Sequence, residues 1–363
     1  MTPRTRAGLA LPAALFTIAL IALFIAGSAF AASQEAQASA GVMAQRVALE
    51  AAEYGAVAVL RDWNRSWNLT IPVGQTAGPF THTLAGGATA HVRLTRTGFA
   101  TWWVVSEGHV GTSVSRAARR TVNAVYRLEL PPAVPDAALA VVDSARVAGT
   151  GTVMGTDSAE AAGVCNNLPV VPIAGVAAAD TTRVTGLAGI AGVPQLALDS
   201  AIAARIAAID SGLVADVVLP AGSIVTPAPI VTAGLCDTLA VTNWGDPAGG
   251  QCGMRYPVIR VPGDLTVRGG TGQGILLVTG DVRFENGATF AGIVIARDDF
   301  VTGSGGGSIL GAVLAGDVRR GPGDYTVVAS GGHIRRSSCR IRQARLAAAS
   351  PVRVKHRWWM EFE

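Results

Sequence analysis

Residues 9–32 read LALPAALFTIALIALFIAGSAFAA, and residues 33–63 continue SQEAQASAGVMAQRVALEAAEYGAVAVLRDW without a proline. The first stretch carries no charge. As a helix rising about 1.5 Å per residue it spans roughly 36 Å, enough to cross a hydrocarbon core of about 30 Å. Arg4 and Arg6 precede it, and the first charge after it is Glu35. A positive flank stays on the cytoplasmic side, so everything beyond the span is expected to face outward. In the second stretch Val42, Val47, Leu49, Ala56, Val59 and Leu60 recur at roughly helical spacing. Together the two predict one long helix, apolar all round at its start and amphipathic at its end. Pro12 falls in the first turn, where few backbone donors are left unpaired.

Three readings of this segment compete. Ala29, Phe30 and Ala31 offer an A-x-A site for removal of a secretory signal, although the apolar run exceeds the usual ~7–15 residues of such a signal. A plain transmembrane anchor is the second reading. The third is a short basic leader ending in Gly8, followed by a membrane helix that runs on into an amphipathic one. RAGLALPAALFTIALIALFIAG (6–27) followed by ALEAAEYGAVAVL (48–60) resembles the PilX N-terminal family of minor pilins in type IV pilus assembly. The resemblance covers about residues 4–62. It implies a leader 1–8 cut between Gly8 and Leu9, a membrane part 9–32, and partners that are other pilin-like subunits met through the N-terminal helix. Major pilins carry glutamate at the fifth mature position; counted from Leu9, this chain has Ala13. The residues that carry the resemblance therefore depart from the major-pilin pattern at one position.

Composition narrows the rest. Of 363 residues 44 are glycine, a load that favours turn-rich β structure. The formal net charge is +4 and the only lysine is Lys355; no basic run crosses the middle of the chain, so no nucleic-acid partner is expected. Arg335, Arg336, Arg340, Arg342, Arg345, Arg353, Lys355 and Arg357 gather near the end. They read as a solvated basic tail, or as a patch for an acidic partner or phospholipid head groups. Four cysteines, Cys165, Cys236, Cys252 and Cys339, contain no C-x-x-C pair. Behind an export signal they read as two disulfides. Nearness in sequence favours Cys236 with Cys252, which leaves Cys165 with Cys339.

After the helix, residues 71–87 are rich in turn formers. Three strand-like runs follow. Ala88, Ala90, Val92 and Leu94 alternate with polar residues, ATWWVVS begins at Ala100, and RTVNAVYRLEL begins at Arg120 with Val122, Ala124, Tyr126 and Leu128 on one face. A long helix over an antiparallel meander, an α+β arrangement for residues 33–130, is the layout the pilin resemblance implies. Trp102 and Trp103 point to opposite faces, one toward the core and one toward a contact. Pro131, Pro132 and Pro135 mark a boundary. Residues 157–262 read as an irregular insert, with a helix candidate that starts at Asp199 or Ser200 and ends at Gly212.

Beyond the insert a repeat emerges. GDLTV starts at Gly263, GDVRF at Gly280, DDFVT at Asp298 and GDVRR at Gly316, while GILLV, GIVIA and GAVLA start at Gly274, Gly292 and Gly311. A spacing near 18 with glycine-rich corners predicts a parallel β-solenoid over 131–345, with Ile275, Leu277, Ile293, Ile295 and Val313 as inward ladders. Residues 346–363 form the tail. Asp264, Asp281, Asp299 and Asp317 recur at one corner and read as turn caps. The stretch GQGILLVTGDVRFENGATFAGIVIARDDF (272–300) looks like the β-helical C-terminal segment that follows PilX-like N-termini in some pilus-assembly proteins.

No sequence signature of catalysis stands out. There is no nucleophile elbow, no lysine follows the glycine runs, and His82, His91, His109, His333 and His356 show no ligand spacing. No catalytic residue, cofactor or metal is expected. The expectation is a structural minor pilin-like component, at a pilus tip or acting as initiator, held in the inner membrane by one span. Its C-terminal part would face the periplasm or cell surface, free to meet a surface ligand. The alternative is a membrane-anchored adhesin or envelope protein tied to no pilus.

Overall fold

The computed structural model describes residues 10–111, 117–132, 136–157, 172–316, 326–329 and 331–354. The chain divides into two compact units: Met1–Trp63 with Val73–Tyr126 and Arg353–Glu363, and Asn64–Pro72 with Arg127–Val352. The division between them falls at Tyr126 rather than after residue 130. It also assigns residues 64–72 to the second unit, which proline signals alone do not reveal.

In the first unit, helix α1 (Ala10–Arg61) is unbroken. Strands β1 (Thr76–Thr83), β2 (Thr89–Arg96), β3 (Thr101–Val110) and β4 (Ala118–Glu129) form an antiparallel meander at least through β3. Turn formers dominate residues 71–87, yet β1 lies there. As an edge strand it has to satisfy only one neighbour, so Gly78, Pro79 and a bulge between Ala77 and Phe80 are tolerated. Ala88, Ala90, Val92 and Leu94, and Val122, Ala124, Tyr126 and Leu128, are all buried, as period-2 alternation requires.

The packed stripe of α1 differs from the one read in the sequence. Val42 is exposed, and the buried positions are Ala48, Ala51, Ala52, Gly55, Ala56, Ala58 and Val59. Small residues win because helix and sheet approach very closely. A Cβ on Gly108 of β3 would stand 1.9 Å from the Ala48 carbonyl oxygen, and one on Gly55 would stand 2.6 Å from Ala90 Cβ. Trp102 is buried edge-to-face against Trp63, with ring centroids 5.2 Å apart, while Trp103 points outward. The Tyr126 hydroxyl donates to the Ala56 carbonyl at 3.1 Å.

The second unit opens with helix α2 (Trp67–Thr70) and then strands β5 (Ala137–Val141), β6 (Ala145–Val147), β7 (Thr152–Met154), β8 (Ala174–Ala178), β9 (Val184–Thr185), β10 (Ile190–Ala191) and β11 (Leu196–Leu198). Helix α3 (Ile202–Gly212) follows, and then β12 (Val217–Val218), β13 (Ser223–Val225) and the hairpin β14 (Val231–Thr232) with β15 (Leu235–Cys236). Next come β16 (Val258–Val261), β17 (Leu265–Arg268), β18 (Thr271–Val278), β19 (Val282–Glu285), β20 (Ala288–Ala296), β21 (Phe300–Thr302) and β22 (Gly307–Ala315). Strands β23 (Thr326–Val328) and β24 (His333–Arg336), helix α4 (Ser338–Ala348) and β25 (Ser350–Arg353) complete the chain.

Two parallel sheets result. One runs β12, β16, β18, β20, β22, β24, β7, β10, with β5, β8 and β11 joined to it beside β24 and β7; the other runs β13, β17, β19, β21, β23, β6, β9. Identical residues meet at the bend: Gly274, Gly292 and Gly311 are paired in register. All three have positive φ, and a Cβ on Gly292 would lie 2.0 Å from the Gly274 carbonyl oxygen. Only glycine fits a bend that stacks this tightly.

Several expectations change here. The strands at 275–278, 293–296 and 312–315 are buried on both faces, and the ladders separate accordingly. Leu276, Val294 and Val313 face the interior between the sheets with Phe284 and Phe300. Ile275, Leu277, Ile293 and Ile295 pack outward with Ile202, Ile206 and Ile209 of α3 and Ile341 and Ala344 of α4. A continuous apolar run cannot reveal from sequence which of its two faces is interior. Of the fourth corner only Gly316 is described, the rest of GDVRR lying outside the described residues; at that level Val301 pairs with Val327 of β23. The expected insert 157–262 is not one throughout, since β8, β9, β10, β11, β12 and β13 stack in parallel register within it. These strands are two to five residues long, too short for periodicity to register. Residues 346–363 are not wholly a tail, because α4 ends at Ala348 and β25 follows it at Ser350–Arg353.

Candidate functional site

Helix α1 is the first feature that calls for a partner. It is long and apolar enough to cross a membrane. Leu11, Phe16, Ile18, Phe24 and Phe30 are exposed along it. Fully burying a side chain of this size is worth about 1.5–3 kcal/mol, so such a surface is stable only in lipid or against other helices. Its one early hydroxyl is satisfied within the helix, as Thr17 Oγ1 donates to the Ala13 carbonyl at 2.8 Å. Ala13 lies on this exposed stretch; Gly8 and Leu9 lie outside the described residues.

Cys236 and Cys252 are joined, with Cα atoms 5.0 Å apart. Beside the bond, Asn243 is fully buried, and its Nδ2 donates to the Ile230 and Asp237 carbonyls at 2.9 and 2.6 Å. Gln273 Nε2 donates to the Gly253 and Arg255 carbonyls, each at 2.9 Å. Disulfide and amides together fix an irregular loop that has almost no secondary structure of its own. Cys339, at the start of α4, is disulfide-bonded as well; its expected partner, Cys165, lies outside the described residues.

The aspartate corner is a chain of caps. Asp264 Oδ1 accepts from the Asp281 N–H at 3.0 Å, and Asp281 Oδ1 accepts from the Asp299 N–H at 3.1 Å. Each carboxylate thus satisfies the next level's backbone. Asp317 lies outside the described residues.

Of the arginines near the C-terminus, Arg335, Arg342 and Arg353 are exposed, but Arg336, Arg340 and Arg345 are not part of a solvated tail. Arg340 donates to the Tyr256 hydroxyl and the Pro247 carbonyl, each at 2.9 Å, and Arg345 donates to the Pro131 carbonyl at 2.7 and 3.1 Å. Arg336 Nη1 donates to the Ala137 carbonyl at 2.8 Å. Burial pushes the Arg336 guanidinium below its ordinary value, and the carboxylates of Asp136 and Asp157 oppose that shift. Composition could not separate these roles; the apolar spacing of Ile341, Ala344 and Ala348 around them is the signal of a packed helix. Lys355 and Arg357 lie outside the described residues.

His91 and His109, far apart in sequence, meet on the first unit's sheet with ring centroids 5.2 Å apart, and His109 Nε2 stands 3.7 Å from Glu107 Oε2. They stand on neighbouring strands, where spacing along the chain gives no warning. Among the described residues no group of three or more His, Cys, Asp or Glu is placed to hold a metal ion.

No family model matches the chain, and no curated protein matches it. Among solved structures, the competence-associated pilin ComZ from Thermus thermophilus aligns over 88% of this chain and 96% of that chain, at 11% identity and a TM-score of 0.22. At that score the alignment carries no weight for the geometry or the role of this chain.

Proposed function

We propose that the chain is a structural, pilin-like component of a type IV pilus or related assembly system. The observation that carries this is the division of labour along α1. Its first half is a bare apolar rod, and its second half, from Ala48, is fitted against an antiparallel sheet. A removable signal has no need to run on into a packed helix, whereas a subunit that is stored in a membrane and assembled through its helix does. Within this reading the leader ends at Gly8, and the chain is similar in kind to PilX-type minor pilins. The β-rich unit is a parallel β-solenoid displayed outside the inner membrane, where it contacts partner subunits or a surface. The role is non-enzymatic.

The test is N-terminal sequencing of protein extracted from membranes. The reading expects a start at Leu9. A start at Ala32 overturns it, because α1 would then lose its membrane half and the protein would leave the bilayer.

A further inference from the structure

The chain contains seven asparagines, and only two begin an Asn-x-Ser/Thr triplet, the acceptor pattern for asparagine-linked glycosylation: Asn64-Arg65-Ser66 and Asn68-Leu69-Thr70. Both fall in the segment Asn64–Pro72, which belongs to the second unit. The fold treats them in opposite ways. Asn68 is fully buried, and its Nδ2 donates to the Leu346 and Ala349 carbonyls at 2.9 and 3.0 Å. That amide nitrogen is committed to the last turn of α4 and lies out of reach of an enzyme. Asn64 is exposed; its Oδ1 accepts from the Ser66 N–H at 2.9 Å, and its Nδ2 makes no hydrogen bond among the described residues. Ser66 is exposed too, and at the N-cap position of α2 its side chain makes no capping bond. A serine there ordinarily gives its oxygen to a helix N–H, so this hydroxyl is left uncommitted. Between them Arg65 is half-buried and pairs with Asp216. The triplet is held by its middle residue and presents the two that carry the chemistry.

We infer that Asn64 is a site of asparagine-linked glycosylation, modified by a membrane-bound transferase that draws on a sugar carried by a lipid pyrophosphate. In the transfer, Asn64 Nδ2 forms a bond to the anomeric carbon of the donor sugar as the bond from that carbon to the pyrophosphate oxygen breaks. The lipid pyrophosphate leaves with the bonding electron pair, and one Nδ2 proton passes to a carboxylate base of the transferase. No oxidant or reductant is consumed. The Ser66 hydroxyl is the positioning group, gripped by the transferase so that the amide meets the donor. Asp62, two positions before the acceptor, completes the Asp-x-Asn-x-Ser form of the pattern that bacterial transferases of this class accept. Such transferases act on the outward side of the membrane, where the positive flank before α1 puts this segment and where the Cys236–Cys252 disulfide is stable. The inference needs export of the chain and not its entry into a pilus, so either can fail without the other.

The test takes the full chain, extracted in detergent from the envelope of its own cells. Peptides covering residues 62–70 are read by mass spectrometry, with fragmentation that keeps a sugar on its residue. A glycan mass on Asn64, with Asn68 unmodified, is the expected result. Asn64→Gln should abolish it, Ser66→Ala should cut occupancy at least tenfold, and Ser66→Thr should keep it, since either hydroxyl serves. Circular dichroism of Ser66→Ala should match that of the parent, because the side chain it removes caps nothing. A bare Asn64 in the native protein overturns the inference. So does a sugar on Asn68, whose amide the fold has already engaged, or an occupancy at Asn64 indifferent to Ser66→Ala. An N-terminal start at Ala32 would end the pilus reading and leave this one standing, because the chain would still be exported.

Discussion

Gly108 shows how a single missing atom sets the first unit's geometry. It sits in β3 opposite α1, and a side chain there would meet backbone, not a movable side chain: the Ala48 carbonyl oxygen at 1.9 Å and the Ala52 nitrogen at 2.7 Å. Neither atom can yield without bending α1 or lifting the strand. Gly108→Ala is therefore expected to destabilise the unit by about 3 kcal/mol, the upper range for overpacking. Denaturant unfolding followed by tryptophan fluorescence would read it, since Trp63 and Trp102 lie edge-to-face in the same unit. A Gly74→Ala control, at a site with positive φ but nothing within 4 Å, should cost less. Equal losses at the two sites would show that the close approach at Gly108 costs no more than backbone strain alone at the open Gly74 site. Hydrophobic spacing does not announce this contact, because alanine and glycine register weakly in any hydrophobic count although they permit the nearest approach.

At the scale of elements, what could be read depended on length and on how many faces were buried. Strand β2 has one buried face, so alternation at Ala90, Val92 and Leu94 marked it. Strands β18, β20 and β22 were found through their repeated glycines, yet two buried faces hid which of Ile275 and Leu276 was interior. Strands of two or three residues, such as β9, β10 and β12, have no period to detect and exist because longer neighbours supply the other half of the ladder. Of the site residues, Cys236 and Cys252 were legible by nearness, and the paired histidines were not. The cysteine pattern carries its own prediction. Non-reducing peptide mapping should recover Cys236 linked to Cys252 and Cys165 linked to Cys339. In the chain-entropy description the first link, 16 residues apart, contributes about 3 kcal/mol. A peptide joining Cys165 to Cys236 would refute the scheme.

At the scale of the whole molecule, the proposed pilus role carries a prediction about position in the fibre. In major pilins, a carboxylate at the fifth mature position is held to neutralise the N-terminal amine of the adjacent subunit inside an apolar core. An unpaired charge buried there is costly. With Leu9 as the first mature residue, this chain offers Ala13, an exposed methyl on a bare apolar helix, and cannot supply that charge. On the pilus reading proposed above, it would be tolerated only where no neighbouring amine needs that charge, which means at the tip or at the start of assembly. The second unit adds a steric argument, for a domain of this size on every subunit would crowd a helical shaft. Immunogold labelling of sheared fibres is expected to mark ends, as single particles or short clusters, at low stoichiometry. Replacing Ala13 with glutamate should restore the missing charge and let the subunit enter the shaft, spreading the label inward. Even labelling along wild-type fibres would remove the placement, and with it the significance attached to Ala13.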